Sequence, residues 1–421
     1  MHNRLGPLRG LEPYMPKKRF DFSEIGKTGL KRSWGYIYDE FLSSLRGTRG
    51  RKTYREMRDN DAIIGSMLFA INQILRESRW DVRAAEKNSA VAEKDADFLR
   101  DNMSGMMHPW SVIFTDILTF FTYGFSLFEQ VYYRGDDNKI MWKKLAFRAQ
   151  DSIERWNIDE HGETLGFWQR PAPDYHEFYI PISKCLHFRT ESAGNNPEGR
   201  SLLRNSFRAW FMKKNIEEIE AIGVERDLAG LPVMNMPEGF DPDSEDADVQ
   251  AQVASAKTLI TNIRRDEQEG ILLPHGWELT LLASSGSRQI DTVSVINRYN
   301  KEMAATTLAQ FIMLGMERTG SYALAREQTD MFYLALEAWA DYIAIVMNHQ
   351  AVPKLFALNG VSDRPLPFVV HTPIRRFTLT DIANYISKLA DEKIGALEIT
   401  EDTKAFLKRY GRLEEFSEIR K

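Results

Sequence analysis

Apolar residues recur at helical spacing from Tyr54 to Glu77, at Met57, Ile64, Met67, Leu68, Ile71, Ile74 and Leu75, which predicts a helix over that span. Arg79-Trp80-Asp81-Val82-Arg83 then alternates with period two, as a strand does. A second helix is expected near Pro109 to Thr122, opened by proline in its first turn and closed before Gly124. Beyond it the pattern becomes aromatic and strand-like through Tyr133, ending in a hairpin turn at Gly135-Asp136-Asp137-Asn138. Further strands are predicted at Met141 to Phe147, Ile153 to Ile158, Leu165 to Gln169 and Lys184 to Phe188, with a turn signal at Glu160-His161-Gly162. Helices beside an antiparallel meander define an α+β chain.

After Pro197-Glu198-Gly199-Arg200 a helix is expected from Ser201 to Ala229, stopping at Gly230-Leu231-Pro232. At 1.5 Å per residue it would be roughly 40 to 45 Å long. Leu203, Phe207, Trp210, Phe211, Ile216, Ile219 and Val224 read as one apolar stripe. Arg204, Arg208, Lys213, Lys214, Glu217, Glu218, Glu220, Glu225, Arg226 and Asp227 read as a charged opposite face. A one-sided helix of that length outruns the core of one protomer, whereas neighbouring copies in a ring or bundle can bury its stripe. Oligomerisation is therefore expected.

Leu231 to Met236 reads as a short strand, Asp241 to Asp246 as an acidic turn, Val249 to Arg264 as a helix and Glu269 to Pro274 as a second strand. Together they predict a small β-α-β lobe at the far end of the long helix. Gln289 to Ile312 is helical again, with Ile290, Val293, Ile296, Tyr299, Met303 and Phe311 near one stripe, and is expected to return along the first helix. Two glycines break it at Met313 to Gly320, leaving a projecting loop before a helix from Ser321 to Asn348. A strand at Phe368 to His371 and capped helices near Leu379 to Leu389 and Thr400 to Tyr410 complete the pattern.

The composition, 43% hydrophobic and 27% charged over 421 residues, excludes a wholly disordered or fibrous chain and allows several lobes. The single cysteine, Cys185, cannot form an internal disulfide, so folding in a reducing cytoplasm is expected. No apolar run approaches the length of a membrane span or a signal core, so neither spanning nor export is expected. The net charge of −5 is uneven: Met1 to Asp59 carries 14 Lys/Arg against 7 Asp/Glu. This basic arm suits contact with nucleic acid or an acidic neighbour, and suits equally a solvated tail.

Gly194-Asn195-Asn196-Pro197-Glu198-Gly199-Arg200-Ser201 fits the spacing of a phosphate-cradling loop between a strand and a helix. Arg200 stands where that loop has lysine, Glu198 brings negative charge, and no strand ending in aspartate follows to hold magnesium. A helix-capping turn is the competing reading. Gly26-Lys27-Thr28 has Asp21 where the first glycine would be. The histidines are dispersed and no cysteine pair exists, so no metal site or cofactor is called for. Cys185, in an apolar strand beside His187, reads as a small buried hydrophobe. Nothing demands catalysis. Lys213-Lys214, Arg264-Arg265 and Arg375-Arg376 are isolated basic pairs rather than a nucleic-acid stripe. A few cations amid mixed charge, such as Arg288, Arg298, Lys301 and Arg318, are compatible with a passage through which DNA slides.

The ordered series of Lys184 to Arg189, Asn196 to Arg204, the long helix, Ala229-Gly230-Leu231-Pro232-Val233, the β-α-β lobe and Gly276-Trp277-Glu278 resembles tailed-bacteriophage portal proteins, of the type found in Mu-like phages. The similarity runs from about Tyr54 onward. It implies a multi-lobed α+β protomer: an extended basic arm (1–51), a wing (52–198 and 321–374), two stem helices (199–229 and 286–313), a clip (230–285), a tunnel loop (314–320) and a crown (375–421). It further implies a dodecameric ring at one capsid vertex, in virions assembled from protein made in the host cytoplasm. Its partners would be double-stranded DNA in transit, the terminase large subunit, major capsid and scaffold proteins, and a head-tail adaptor or neck protein. Met316, Glu317, Arg318 and Thr319, with Arg298 and Lys301, would face DNA. Pro197, Gly199, Arg200 and Ser201 would form the wing-to-stem junction. The alternative is a P-loop-like NTPase built on Gly194 to Ser201.

Overall fold

The structure, a computed structural model, describes residues 24–229, 231–262, 272–273, 275–282, 291–306 and 322–374. The described part of the basic arm packs on its own chain. Its strands β1 (Arg32–Ser33) and β2 (Tyr36–Ile37) form a hairpin whose Gly35 carbonyl accepts from the Trp156 amide at 2.8 Å. Residues 47–51 already belong to the first helix, α1 (Gly47–Asn60).

The helix predicted as one element from Tyr54 to Glu77 is two, α1 and α2 (Ala62–Glu77). Asp61 lies between them in extended conformation, and its Oδ1 accepts from the amides of Ile63 and Ile64 at 2.9 and 3.0 Å. An N-cap starts one helix by ending another. Strand β3 (Trp80–Arg83) follows as expected, then α3 (Ala90–Ser104), which the pattern did not announce. Its buried stripe is narrow and partly alanine, at Ala92, Ala96, Leu99 and Met103. The next predicted helix is likewise two pieces, α4 (Trp110–Ile117) and α5 (Phe120–Tyr123), stopped by Gly124 at φ +94°.

Six strands follow: β4 (Phe125–Arg134), β5 (Ile140–Arg148), β6 (Ile153–Ile158), β7 (Thr164–Gln169), β8 (Phe178–Pro181) and β9 (Cys185–Arg189). They do not form one meander. Two antiparallel sheets result, ordered β5-β4-β9 and β6-β7-β8, because β9 returns to pair with β4, Phe125 opposite Arg189. Strand β4 is buried on both faces. Phe128 joins the large core with Met57, Ile64, Phe114 and Trp142, whereas Phe125 and Leu127 meet Trp156, Phe167 and Ile180 between the two sheets.

Helix α6 (Phe207–Ala229) is about 35 Å long, shorter than expected, because a 3₁₀ turn at Leu202–Arg204 precedes it. The small lobe comprises β10 (Leu231–Asn235), α7 (Ala247–Asn262) and β11 (Glu278–Leu282), with β10 and β11 antiparallel. The partner of β10 thus comes later than the predicted Glu269 to Pro274. Leu272 and Leu273 carry no strand, and the rest of that segment lies outside the described residues. Helix α8 (Thr292–Thr306) is followed by α9 (Tyr322–Val346), a π-helical turn at Met347–Ala351, α10 (Val352–Leu358) and β12 (Phe368–His371), which pairs with β3. The predicted loop Met313 to Gly320 and the two C-terminal helices lie outside the described residues.

Side-chain amides finish the sheet edges. Asn359 accepts from the Ile140 amide at 2.9 Å and donates to its carbonyl at 2.8 Å. Asn348 does the same for Val369, at 2.8 and 2.9 Å. Gln350 accepts from the His187 amide at 2.9 Å. The π-helical turn carries both Asn348 and Gln350, so one irregular turn serves two sheets.

Candidate functional site

Helices α6 and α8 form an antiparallel hairpin. Ser206 meets Thr306 at 2.6 Å near one end, and Thr292 donates to Glu220 near the other. Two consecutive lysines fasten its base. Lys213 reaches Asp61 Oδ2 at 2.9 Å, both side chains being more than 90% buried, and Lys214 reaches Glu56 of α1 at 2.6 Å. Asp61 therefore caps α2 with one oxygen and anchors α6 with the other. Sequence reasoning placed Lys213 on a solvated face. The usable signal was Asp61 standing directly before the apolar run Ala62-Ile63-Ile64, the position of an N-cap.

The apolar residues of α6 do not form one stripe. At 100° per residue Ile216 falls opposite Phe207, and Val224 lies well away from Ile219. Trp210 is buried, whereas Phe211, Ile219, Ile222 and Val224 are exposed, Ile219 by 67%. On α8, Met303 is buried and Val293 is 63% exposed. The hairpin is thus held firmly at its base while apolar side chains along it find no cover among the described residues.

The Pro197 to Ser201 turn is built on a close approach of two glycines. Gly199, at φ +57°, would place a Cβ 2.2 Å from the Gly124 carbonyl oxygen. Ser201 donates to the Thr122 carbonyl at 2.5 Å and accepts from the Leu203 amide at 3.1 Å. The Pro197 carbonyl accepts from His187 Nε2 at 2.8 Å. His187 stacks on Trp156, and burial together with the nearby Arg189 charge lowers its pKa to about 3, so the ring is neutral. Glu198 lies 3.5 Å from the buried Arg51 and accepts from the Trp156 indole at 3.3 Å. Glu40 pairs with Arg204 at 2.9 Å. Burial would raise its pKa, but the guanidinium and the Leu42 amide bring it below the ordinary value.

This geometry bears on the phosphate-loop reading. The amides of Asn195, Asn196 and Gly199 donate to carbonyls within the turn, that of Glu198 to Asn196 Oδ1, and that of Arg200 to Thr190. Arg200 itself reaches Asn205 at 2.9 Å and Glu191 at 3.7 Å. The adjacent cleft of about 280 Å³ is lined by Asp39, Glu40 and Glu191 as well as Arg200 and Arg204. Helix α6 begins only at Phe207, so its N-terminus does not face the loop. The segment is a structural turn, and its amides do not converge on an anion.

Among the other predicted site residues, Arg298 and Lys301 are exposed on α8. Arg298 lies over the Tyr299 ring at 4.8 Å and 3.9 Å from Glu302. Met316, Glu317, Arg318 and Thr319 lie outside the described residues. Cys185 is buried, and burial pushes its thiol up to about 12, which suits a packing role. Among the described residues no group of three His, Cys, Asp or Glu could hold a metal, and no helix is long and apolar enough to cross a membrane.

The fold is shared with chains of gene transfer agent particles. A chain of the "Virion of native gene transfer agent (GTA) particle" matches with TM-score 0.52 and 12% identity, over 85% of this chain and 93% of its own. The "Neck of empty GTA particle computed with C6 symmetry" gives 0.51 and 12%, over 85% and 93%. The "Neck of native GTA particle computed with C12 symmetry" gives 0.50 and 13%, over 84% and 92%. A family model described as "Portal protein of Mu bacteriophage" matches residues 51–412, and the chain belongs to that portal family. No curated protein matches.

Proposed function

We propose that this chain is the subunit of a dodecameric portal ring at one capsid vertex, through which double-stranded DNA is packaged and later ejected. The observation that carries the reading is the α6–α8 hairpin, fixed at its base by Lys213 and Lys214 and uncovered at Phe211, Ile219, Ile222, Val224 and Val293. A neighbouring copy supplies the missing cover in a closed cyclic assembly. Twelvefold closure is supported by the shared fold with a chain from a neck computed with C12 symmetry. In this reading residues 52–198 and 321–374 form the wing, 199–229 and 286–313 the stem, 230–285 the clip and 375–421 the crown. Terminase docks on the ring during packaging, an adaptor or neck protein replaces it, and capsid and scaffold proteins surround the wing.

The ring acts as a passive conduit and hydrolyses nothing itself. Arg298, Lys301 and Arg318 make weak, salt-sensitive phosphate contacts that break as the next ones form. Light scattering with negative-stain imaging of the purified chain tests the assembly: a dodecamer of 48.6 kDa subunits weighs about 580 kDa and shows a central hole. Nucleotide binding by the chain, abolished in Arg200→Ala, would overturn the conduit reading in favour of an NTPase. In an infection, Arg318→Glu should leave rings intact and lower the packaged DNA.

A further inference from the structure

The outer face of the β6-β7-β8 sheet is uncovered. Trp156, Phe167 and Ile180 point inward and are buried, so Arg155, Trp168 and Tyr179 form a cross-strand row on the opposite face. Arg155 lies 4.2 Å over the Trp168 ring, and Trp168 and Tyr179 are 5.1 Å apart between centroids. Glu177 pairs with Arg155 at 3.1 Å, and Tyr36 of the β1–β2 hairpin donates to Glu154 at 3.1 Å, carrying the aromatic row past the edge of β6. Tyr36 and Tyr179 remain exposed beside the half-buried Trp168, so this is a preorganised aromatic platform rather than a solvated polar face. Its surroundings are acidic: residues 150–179 hold seven Asp/Glu against two Arg. That balance repels DNA and attracts a basic ligand.

We propose that this face is the docking site of the chain's own N-terminal segment, residues 1–23. That segment carries five Lys/Arg against two Asp/Glu, including Lys17-Lys18-Arg19, with prolines at 7, 13 and 16 and aromatics at Tyr14, Phe20 and Phe22. Prolines and cations are what an aromatic, acidic platform accepts, the prolines lying flat on rings and the cations answering the carboxylates. The chain also emerges in the right place. The Gly26 carbonyl lies 3.2 Å from His161 Nδ1, and the Thr28 amide donates to the His161 carbonyl at 3.1 Å, so the segment departs from the β6–β7 turn. An extended segment of 23 residues spans up to about 70 Å, whereas a six-residue strand is about 20 Å long. Docking covers this open sheet face and occupies the arm within its own subunit.

The full chain with Tyr14 replaced by p-benzoylphenylalanine tests this by photo-cross-linking and mass spectrometry. Cross-links should fall on residues 154–179 and stay within one chain when isotopically labelled and unlabelled copies are mixed. Glu177→Lys, on an exposed carboxylate, should lower their yield about fivefold, as should Trp168→Ala. Should Trp168→Ala fail to fold, Glu177→Lys, which removes only a partly exposed ion pair and should melt like the parent, decides. Cross-links between chains, cross-links concentrated elsewhere, absence of cross-links, or a yield unchanged by Glu177→Lys would each overturn the proposal.

Discussion

His187 shows how one residue couples the junction to pH. Its Nε2 donates to Pro197, its ring stacks on Trp156, and its pKa falls to about 3 because burial and Arg189 disfavour the imidazolium. In the unfolded chain the group titrates near 6.5. Between those values the unfolded state binds a proton the folded state refuses, so stability falls as pH falls, by about 1.4 kcal/mol per unit at most. Above about pH 6.5 the residue adds no slope. His187→Gln should flatten the stability profile between pH 6.5 and 5, above most carboxylate titration. A profile as steep as the parent's would assign the acid sensitivity to other groups. Lys213 tests the same scale differently. Removing one partner of a buried pair strands the other, so Lys213→Met should cost about 3 to 5 kcal/mol. The adjacent Lys214→Met, whose pair with Glu56 is partly exposed, should cost under about 1 kcal/mol. Equal shifts in denaturation midpoint would mean that the Lys213–Asp61 pair does not fasten the hairpin.

At the scale of elements, what the sequence revealed depended on whether neighbours or distant contacts decide the structure. Strong period-two runs placed β4 to β7 and β9 within a residue or two, and the strand-turn-helix order around Gly199 was correct. Breaks inside helices were not visible in apolar periodicity: the Asp61 N-cap and the Leu118–Thr119 step each divide a predicted helix. Pairing partners were misread for a related reason. Both β9 and β11 choose strands far away in sequence, and a meander of neighbours is only the default. The α6 stripe failed on arithmetic, since spacings of nine and five residues rotate around a helix. The junction motif was legible as a turn, but its role as a glycine contact needed coordinates. Gly199→Ala should cost several kcal/mol, because the new methyl meets the Gly124 carbonyl at 2.2 Å and φ is positive. Gly223→Ala, where a Cβ meets nothing, should stabilise α6 by about 0.5 to 1 kcal/mol. Thermal melts of the two variants in opposite directions are the expected result.

For the whole molecule, the question is why a chain with two well-filled cores leaves so much apolar surface on one hairpin. Outside the hairpin, buried polar groups such as Asn102, Gln130 and Gln150 have partners within the protomer, and the amides of Asn348 and Asn359 finish the sheet edges. The α6–α8 hairpin differs, since Ile219 and Ile222 on α6 and Val293 on α8 face solvent. Surface of this kind is tolerated in a protomer whose working state is an assembly. It follows that charge placed there should separate folding from assembly. Ile219→Asp combined with Ile222→Asp removes no buried contact and should leave the melting temperature of the isolated protomer within a few degrees. In the proposed ring the same pair would desolvate two carboxylates at each contact between copies, a cost repeated around the ring. Light scattering should then find protomers in place of the rings proposed for the parent, while circular dichroism stays unchanged. Rings of normal mass from the double variant would place the subunit contact elsewhere, on the β-sheets or on the β10-α7-β11 lobe.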